Sequence, residues 1–237
     1  EVPRDGGSLE VMAAHIHISM GRRREALALL DGVLKSFEHQ RDAVLLRADL
    51  HNVAGQLDAA VELLTAATKA HPDDEELAER RTQLAQEQKA WRDFLTDQSA
   101  HFDYRYDPRR PEIVDAIEML SSDLEAAYQS VVRDLGLEPP SRILVLVLDR
   151  ERYQGDAPQW SGGLYDGRIR LAVGDYAAER PLMSATLRHE YTHAALHGLG
   201  PHLPTWFHEG LAQWVEGRPP EQARANPPID IAPPPEQ

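Results

Sequence analysis

The chain has 237 residues, enough for one large domain or two small ones, and its 42% apolar content is ample for a buried core. Its formal net charge of −14 argues against electrostatic binding to nucleic acid or to an anionic membrane. The sequence contains no cysteine, which excludes disulfides and cysteine-based zinc sites, and it contains no apolar run long enough to cross a membrane.

The first residue is Glu1 rather than Met, so we expect the native start of the chain to lie upstream. A signal peptide or a lipoprotein anchor removed from such a start would place the protein in the cell envelope or the periplasm. We favour that location over the cytoplasm, although the lack of cysteine is compatible with either.

Residues 8 to about 98 are rich in Ala, Leu, Glu, Arg and Gln, which predicts a wholly helical segment. Six of its positions recur after 34 residues: Ala14, His17, Gly21, Ala26, Leu29 and Leu30 recur as Ala48, His51, Gly55, Ala60, Leu63 and Leu64. This is the period of the tetratricopeptide repeat, a helix-turn-helix unit, and its small residues let the two helices approach closely. The segment resembles two such repeats, ending near Pro72, followed by a capping helix over residues 74–98.

A generic helical bundle is the alternative interpretation of this segment. Two repeats and a capping helix bury little apolar surface by themselves, so we expect the array to lean on the domain that follows.

Strands and helices alternate after residue 98. Residues 101–106 alternate apolar and polar side chains, which predicts a strand with one apolar face. Residues 111–135 have the apolar spacing of a long amphipathic helix that ends at Gly136. Residues 142–148 are almost all apolar and predict a central strand that is covered on both faces, and residues 149–163 are predicted to be irregular.

Asp166 and Gly167 lie between two alternating runs, a pattern typical of a β-hairpin whose second arm faces the core with Ile169, Leu171 and Val173. We expect the arm 168–173 to lie at a sheet edge, where an extended peptide substrate adds as a further strand; an interior hairpin is the alternative. Helices are predicted over about 181–197, opened by a proline, and from about residue 204 or 205 onward. The fold class is therefore α+β, with an N-terminal all-α repeat module.

The first of these two helices contains the sequence His189-Glu190-Tyr191-Thr192-His193. Residues four apart lie on one helix face, so His189 and His193 can aim two imidazoles at one ion. Glu190 projects where it can reach a metal-bound water. This is the His-Glu-x-x-His arrangement of zinc metallopeptidases, in which the glutamate is the general base; an ordinary amphipathic helix is the alternative.

A catalytic zinc needs a third protein ligand and an open position for water. The metzincin pattern fails here, because Leu196 and Leu199 stand where its Gly and third His are required. Glu209 lies about one turn into the second helix and is the favoured third ligand, while His202 and His208 are nearby rivals.

The two helices together resemble the gluzincin-type, peptidase MA-like metallopeptidases. The resemblance rests on the histidine pair followed by Pro204-x-Trp206-x-x-Glu209-Gly210-x-Ala212, and it covers roughly residues 101–217. It implies a zincin-like fold, zinc held by His189, His193 and Glu209, and Glu190 as the base. In thermolysin-like relatives an Asp four residues after the ligand Glu supports a zinc-bound His, but this chain has Gln213 at that position.

Glu190 is expected to take a proton from the attacking water and to return it to the leaving amine. A donor to the oxyanion is also expected, and the sequence offers several candidates without choosing among them: Tyr191, His197, His202 and His208. Each has an alternative role, Tyr191 as core packing and the histidines as exposed polar residues.

We therefore predict a repeat module over residues 1–98, a zincin-like metallopeptidase domain over 99–217 and a Pro-rich disordered tail or linker over 218–237. The predicted function is zinc-dependent hydrolysis of peptide bonds, with a protein or peptide substrate and a possible protein partner on the repeats. A non-catalytic repeat scaffold with a structural metallopeptidase-like domain is the alternative, and the intact Glu190 argues against it. A zinc hydrolase of non-peptide amides is a third possibility.

Overall fold

The computed structural model describes residues 6–138, 142–150, 153, 163–165, 167–197 and 203–217. The predicted tail 218–237, most of the predicted irregular stretch 149–163 and the turn 198–202 lie outside these residues. The described helices and strands are α1 (Ser8–Ser19), α2 (Arg23–Ser36), α3 (Arg41–Val53), α4 (Leu57–Ala70), α5 (Glu75–Ala90), β1 (Leu95–Gln98), β2 (Phe102–Tyr106), α6 (Pro111–Leu135), β3 (Ile143–Asp149), β4 (Gly163–Tyr165), β5 (Ile169–Val173), α7 (Tyr176–His197) and α8 (Thr205–Glu216). None of the helices in the described part of the chain is long and apolar enough to span a membrane.

Helices α1 to α5 repeat the same packing along the chain. The alanines at equivalent positions of successive units, Ala14 with Ala48 and Ala26 with Ala60, are fully buried where the helices cross. The turns between paired helices contain Gly21 and Gly55, each with φ of 70°, a left-handed conformation that suits glycine. The N-terminal region is therefore a helical repeat array consistent with tetratricopeptide repeats, as predicted.

The predicted capping helix is shorter than expected. Helix α5 ends at Ala90, and residues Leu95–Gln98 form strand β1 rather than the last turns of a helix to residue 98. Antiparallel pairing with β2 overrides the helical composition of this stretch, and the Tyr106 hydroxyl donates to Asp97 Oδ2 at 2.6 Å. The division of the chain into domains at residue 98 stays a prediction.

A five-stranded mixed sheet follows, in the order β1-β2-β3-β5-β4. Strand β3 is central and parallel to both β2 and β5, whereas β1 and β4 pair antiparallel at the two edges. The region after the repeats is thus α+β, as predicted. The β4–β5 hairpin also forms, with Ile169, Leu171 and Val173 buried.

The expected edge position of the arm 168–173 is wrong. Strand β5 is hydrogen-bonded to β3 on one side and to β4 on the other, so it has no edge for a further strand. The arm pairs with β3 because its three alternate apolar side chains fill the core under the sheet. The edge on this side of the described sheet belongs to β4, which contacts α7.

The two faces of β3 are covered by different parts of the chain. Ile143, Val145 and Val147 join a core with α6 and α7, which lie on one face of the sheet. Leu146 and Leu148 lie on the other face and pack against Trp91 and Phe94, at the end of the repeat array, and against Tyr153. The expected contact between the array and the following domain is therefore present.

Helix α7 begins at Tyr176, five residues before the predicted start at Pro181. The additional turn is anchored to α6, because both the Tyr176 hydroxyl and the Arg180 guanidinium donate to the Asp123 carboxylate at 2.8–2.9 Å. These contacts lower the pKa of Asp123, chiefly through Arg180, and keep it ionised as an acceptor. Pro181 therefore lies inside the helix rather than at its first position.

Close approach between the array and the sheet depends on two glycines. A Cβ added to Gly55 would lie 2.8 Å from Leu144 Cδ2, and one added to Gly167 would lie 3.0 Å from Val53 Cγ2. Next to Gly167, the buried Arg168 donates to Glu87 Oε1 at 2.6 Å and to Asn52 Oδ1 at 3.2 Å. Helices α3 and α5 are therefore tied to the hairpin by one guanidinium.

Replacing Arg168 with Ala is expected to lower the free energy of unfolding by about 3–5 kcal/mol, because it leaves a largely buried Glu87 carboxylate without its guanidinium. The Arg168 side chain is only 4% exposed and also stacks 4.8 Å from the Trp91 ring centroid. Urea unfolding at pH 7 measures the change. The control is Arg133→Ala, which removes a pair with Asp134 whose arginine is 72% exposed, and we expect it to shift stability by less than about 1 kcal/mol. Equal effects of the two changes would contradict the role given to Arg168.

Candidate functional site

Helix α7 presents the two motif histidines on one face, as the spacing predicted. The His189 and His193 Nε2 atoms lie 3.1 Å apart. Their rings meet edge to face, with centroids 4.7 Å apart. Two ring nitrogens from successive turns are therefore directed at the same point in space.

Helix α8 brings Glu209 to this point. Its start is where the sequence predicted, with Pro204 before the first turn, and its backbone N–H groups at Phe207 and His208 donate to the Pro204 carbonyl. Glu209 Oε2 lies 3.7 Å from His189 Nε2, and Glu209 Oε1 lies 3.5 Å from His193 Nε2. Among the described residues, these three form the one group of His, Asp or Glu side chains that could hold a metal ion, with all ligand atoms within 4.8 Å of one another.

The spacing of the three groups fits zinc. A tetrahedral zinc ion with bonds of about 2.0–2.1 Å separates its ligand atoms by about 3.3–3.4 Å. The two ring nitrogens lie 3.1 Å apart, and Glu209 faces them with different oxygens, Oε1 at 3.5 Å from His193 Nε2 and Oε2 at 3.7 Å from His189 Nε2. The Glu209 side chain is 39% exposed, so solvent reaches the cluster from the side on which Glu209 lies.

Glu190 lies beside the cluster and is only 6% exposed. Burial raises the pKa of its carboxyl to about 7, and the nearby Glu209 and Glu216 carboxylates act in the same direction against the opposing effect of His189. A carboxyl with a pKa near neutrality can both accept and release a proton at physiological pH, as general acid–base catalysis requires.

The two histidines differ in their protonation. Burial lowers the pKa of His193 to about 3, and His189 and His208 add to this effect. Burial also disfavours the charged form of His189, but the Glu216, Glu190 and Glu209 carboxylates outweigh it and raise the pKa of that ring. His193 is therefore held neutral, the form in which an imidazole nitrogen coordinates a metal.

Glu216 is a residue of the site that the sequence did not reveal. The sequence has Gln213 four residues after Glu209, where thermolysin-like metallopeptidases have an Asp, but the structure places Glu216 Oε2 3.3 Å from His189 Nδ1. Glu209 and Glu216 are seven residues apart, which is two helical turns, so both lie on the face of α8 that meets α7. That periodicity was the signal that could have identified Glu216.

The candidate donors to an oxyanion differ in their position relative to the cluster of His189, His193 and Glu209. The Tyr191 ring is buried against Phe102 and Tyr128, at centroid distances of 6.0 and 5.5 Å, which supports the core-packing alternative. His197 packs edge to face on Tyr165 of β4. The His208 ring stacks 6.2 Å from the His193 ring, next to the cluster but outside the group of potential ligands. His202 lies outside the described residues.

Comparison with known proteins supports the repeat segment. The family model described as tetratricopeptide repeat matches residues 11–75, from α1 to the start of α5. This repeat supports protein binding as a function of the segment. The comparisons with curated proteins and with solved structures gave no match, and none of the comparisons supports a zincin-type peptidase domain.

Replacing Glu190 with Gln is expected to stabilise the metal-free protein at alkaline pH. The folded-state pKa of about 7 lies above the ordinary value of 4.5, so the folded protein holds a proton that the unfolded chain releases. The carboxylate therefore lowers the free energy of unfolding progressively as the pH rises from 4.5 to 7, by about 3 kcal/mol in full.

Urea unfolding in the presence of a chelator measures this effect. Above pH 7 the free energy of unfolding of the Glu190→Gln variant should exceed that of the wild type by the full amount. Near pH 4 the two proteins should have the same free energy of unfolding. Glu118→Gln, on the exposed face of α6, is the control and should change stability by less than about 0.5 kcal/mol at either pH. A gain for Glu190→Gln at pH 4 as large as that at pH 8 would contradict the raised pKa.

Proposed function

We propose that the protein is a zinc-dependent hydrolase of peptide bonds with a zincin-like domain, in which His189, His193 and Glu209 bind the metal. The observation that carries this proposal is the convergence of three potential ligands: the two ring nitrogens lie 3.1 Å apart, and each lies within 3.7 Å of a carboxylate oxygen of Glu209. The support is geometric, since the comparisons give none for the peptidase.

The donor set fits zinc in its chemistry as well. Two imidazoles and one carboxylate are ligands that zinc accepts in catalytic sites, and they leave a position for water. A zinc ion bound there supplies an acidified water and polarises the substrate carbonyl. The ion would also compensate the excess of negative charge that Glu190, Glu209 and Glu216 create in a partly buried space.

Glu190 is the residue that we assign as the general base. Its carboxyl interacts electrostatically with His189 and Glu209, two of the proposed ligands, without being part of the three-residue group. In the proposed mechanism this side chain takes a proton from the attacking water and gives it to the leaving amine. His208, whose ring stacks beside that of His193, is the described residue best placed to donate to a developing oxyanion.

Two substitutions separate metal binding from catalysis. Glu209→Ala removes a ligand, so zinc affinity should collapse and hydrolysis should be lost with it. Glu190→Gln keeps the three ligands and removes the base, so zinc should remain bound at one ion per chain while hydrolysis falls by about 10²–10⁴-fold. Inductively coupled plasma mass spectrometry measures the zinc content of each variant. Cleavage of an unfolded protein such as casein is measured on the same samples.

The Glu118→Gln variant serves as the control and should match the wild type in both measurements. Loss of zinc from Glu190→Gln would show that Glu190 is a ligand and would overturn the assignment. Full zinc binding by Glu209→Ala would show that another residue is the third zinc ligand. His208 is the rival for this role among the described residues. A wild-type protein that does not bind zinc would refute the proposed hydrolase.

A protein-binding scaffold is the second candidate function, favoured by the tetratricopeptide match and by the surface of α1. Met12 and Ile16 of α1 are 62% and 52% exposed. Their equivalents one repeat later, Leu46 and Leu50, pack against the core formed by α1 and α2. One more repeat along, Leu84 is fully buried against the preceding helices. The face of α1 is therefore the stacking face of a repeat, and we propose that an amphipathic helix of a protein partner covers it.

A double substitution, Met12→Glu with Ile16→Glu, tests the scaffold proposal in pull-downs from an extract of the source organism. A partner that binds through this face should be retained by the wild type and lost from the double variant. The control is Val114→Glu, which places the same charge on an exposed apolar position of α6 and should retain the partner. Retention of every captured protein by the double variant would show that the α1 face is not the binding site.

A further inference from the structure

We propose that Glu216 is a positioning residue that orients His189 for metal binding, and this inference rests on the proposed zinc site. The imidazole of His189 has one nitrogen on each side of the ring. Nε2 faces His193 and Glu209, whereas Nδ1 lies 3.3 Å from Glu216 Oε2. The two nitrogens therefore have different partners, and only one of them is available to a metal.

A neutral imidazole that coordinates through Nε2 must hold its proton on Nδ1. That proton needs an acceptor, and in metal sites a carboxylate in this position fixes both the tautomer and the angle of the ring. Among the described residues, His189 Nδ1 makes no hydrogen bond of good geometry, and Glu216 Oε2 is the carboxylate oxygen that lies 3.3 Å from it.

The end of α8 that carries Glu216 is also held in place. Glu216 is 8% exposed and is the last residue of α8. Its backbone carbonyl accepts a hydrogen bond from Arg188 Nη2 at 3.2 Å, which ties the end of α8 to the residue that precedes His189 in α7. The carboxylate and the ring that it contacts thus belong to two helix segments that are joined by a separate hydrogen bond.

One face of α8 then supplies two different groups to the site. Glu209 faces the Nε2 atoms of both histidines, and Glu216, two turns later, reaches the opposite side of one ring. Gln213 occupies the position four residues after Glu209, at which thermolysin-like relatives have their supporting Asp. In this chain the supporting carboxylate is that of Glu216, which lies three residues after Gln213 on the same helix.

The test compares zinc affinity and a proton resonance in full-length protein. Glu216→Gln keeps the size of the side chain and removes its charge, and it should weaken zinc binding by about 10–100-fold, as measured by competition with a chromophoric chelator. Gln213→Ala, on the same helix, is the matched control and should bind zinc as the wild type does. The metal-free stability of each variant is measured by urea unfolding, so that a loss of affinity is compared only between folded proteins.

The resonance is the Nδ1 proton of His189 in the zinc-loaded wild type with ¹⁵N-labelled histidine. It should be slow to exchange and shifted downfield by a charged acceptor, and Glu216→Gln should move it upfield. A purely structural role for Glu216 would change stability but leave this signal and the zinc affinity unchanged. Because the signal is first observed in the wild type, its absence there overturns the inference even if the variant does not fold.

The outcomes distinguish the two proposals. A wild type that binds no zinc refutes the zinc site and, with it, the role of Glu216. A wild type that binds zinc through His189, together with a Glu216→Gln variant of unchanged affinity, refutes only the role of Glu216.

Discussion

The burial of strand β3 on both faces is the constraint on which the rest of the described structure depends. Its side chains alternate between two cores, with Val145 and Val147 under α6 and α7 and with Leu146 against the end of the repeat array. A strand this apolar leaves a large surface exposed unless both faces are covered, at about 25 cal/mol per Å² of apolar area. The repeat array and the helices of the site are therefore stabilised by opposite sides of one strand.

The position of α7 follows from this arrangement. The helix packs its buried face on α6 and on the β4–β5 hairpin, and its start is anchored at Asp123. The opposite face, with His189 and His193, is then left for α8 to cover. The contact between α7 and α8 is where carboxylates and imidazoles meet. Burial lowers the pKa of His193, whereas the carboxylates outweigh burial at His189 and raise the pKa of that ring.

Patterns with strong periodicity predicted most of the fold. The 34-residue repeat, the alternation in β2, the apolar run of β3 and the hairpin before α7 each identified an element that the structure contains. The errors arose where tertiary pairing overrides local composition. Residues 95–98 look helical but pair with β2, and Pro181 looks like a helix start but follows a turn that α6 holds in place. The edge position of β5 was wrong because the order of strands in a sheet depends on contacts distant in sequence.

The candidate site was also predictable only in part, because some of its contacts are local in sequence and others depend on how distant helices pack. The spacing of His189 and His193 is local, so the sequence was sufficient to place the two rings on one face. The proximity of Glu209 depends on how α8 docks against α7, and it was expected from the short turn between the two helices and from the resemblance to metallopeptidases. Glu216 lies two helical turns beyond Glu209, and the structure shows that its carboxylate lies beside His189.

The inner face of α8 is difficult to explain by stability alone. A helix that packs on a core usually presents an apolar stripe, but here Val215 and Ala212 share the inner face with Glu209 and Glu216. Ala212 is fully buried and its small side chain lets the two helices approach closely, while the two glutamates face histidines. Burying carboxylates is unfavourable unless partners compensate for the loss of water, and Glu190 adds a third carboxyl to the same space. The proposed metal site accounts for this arrangement, because a cation held by His189, His193 and Glu209 would compensate the charge of the three acidic groups.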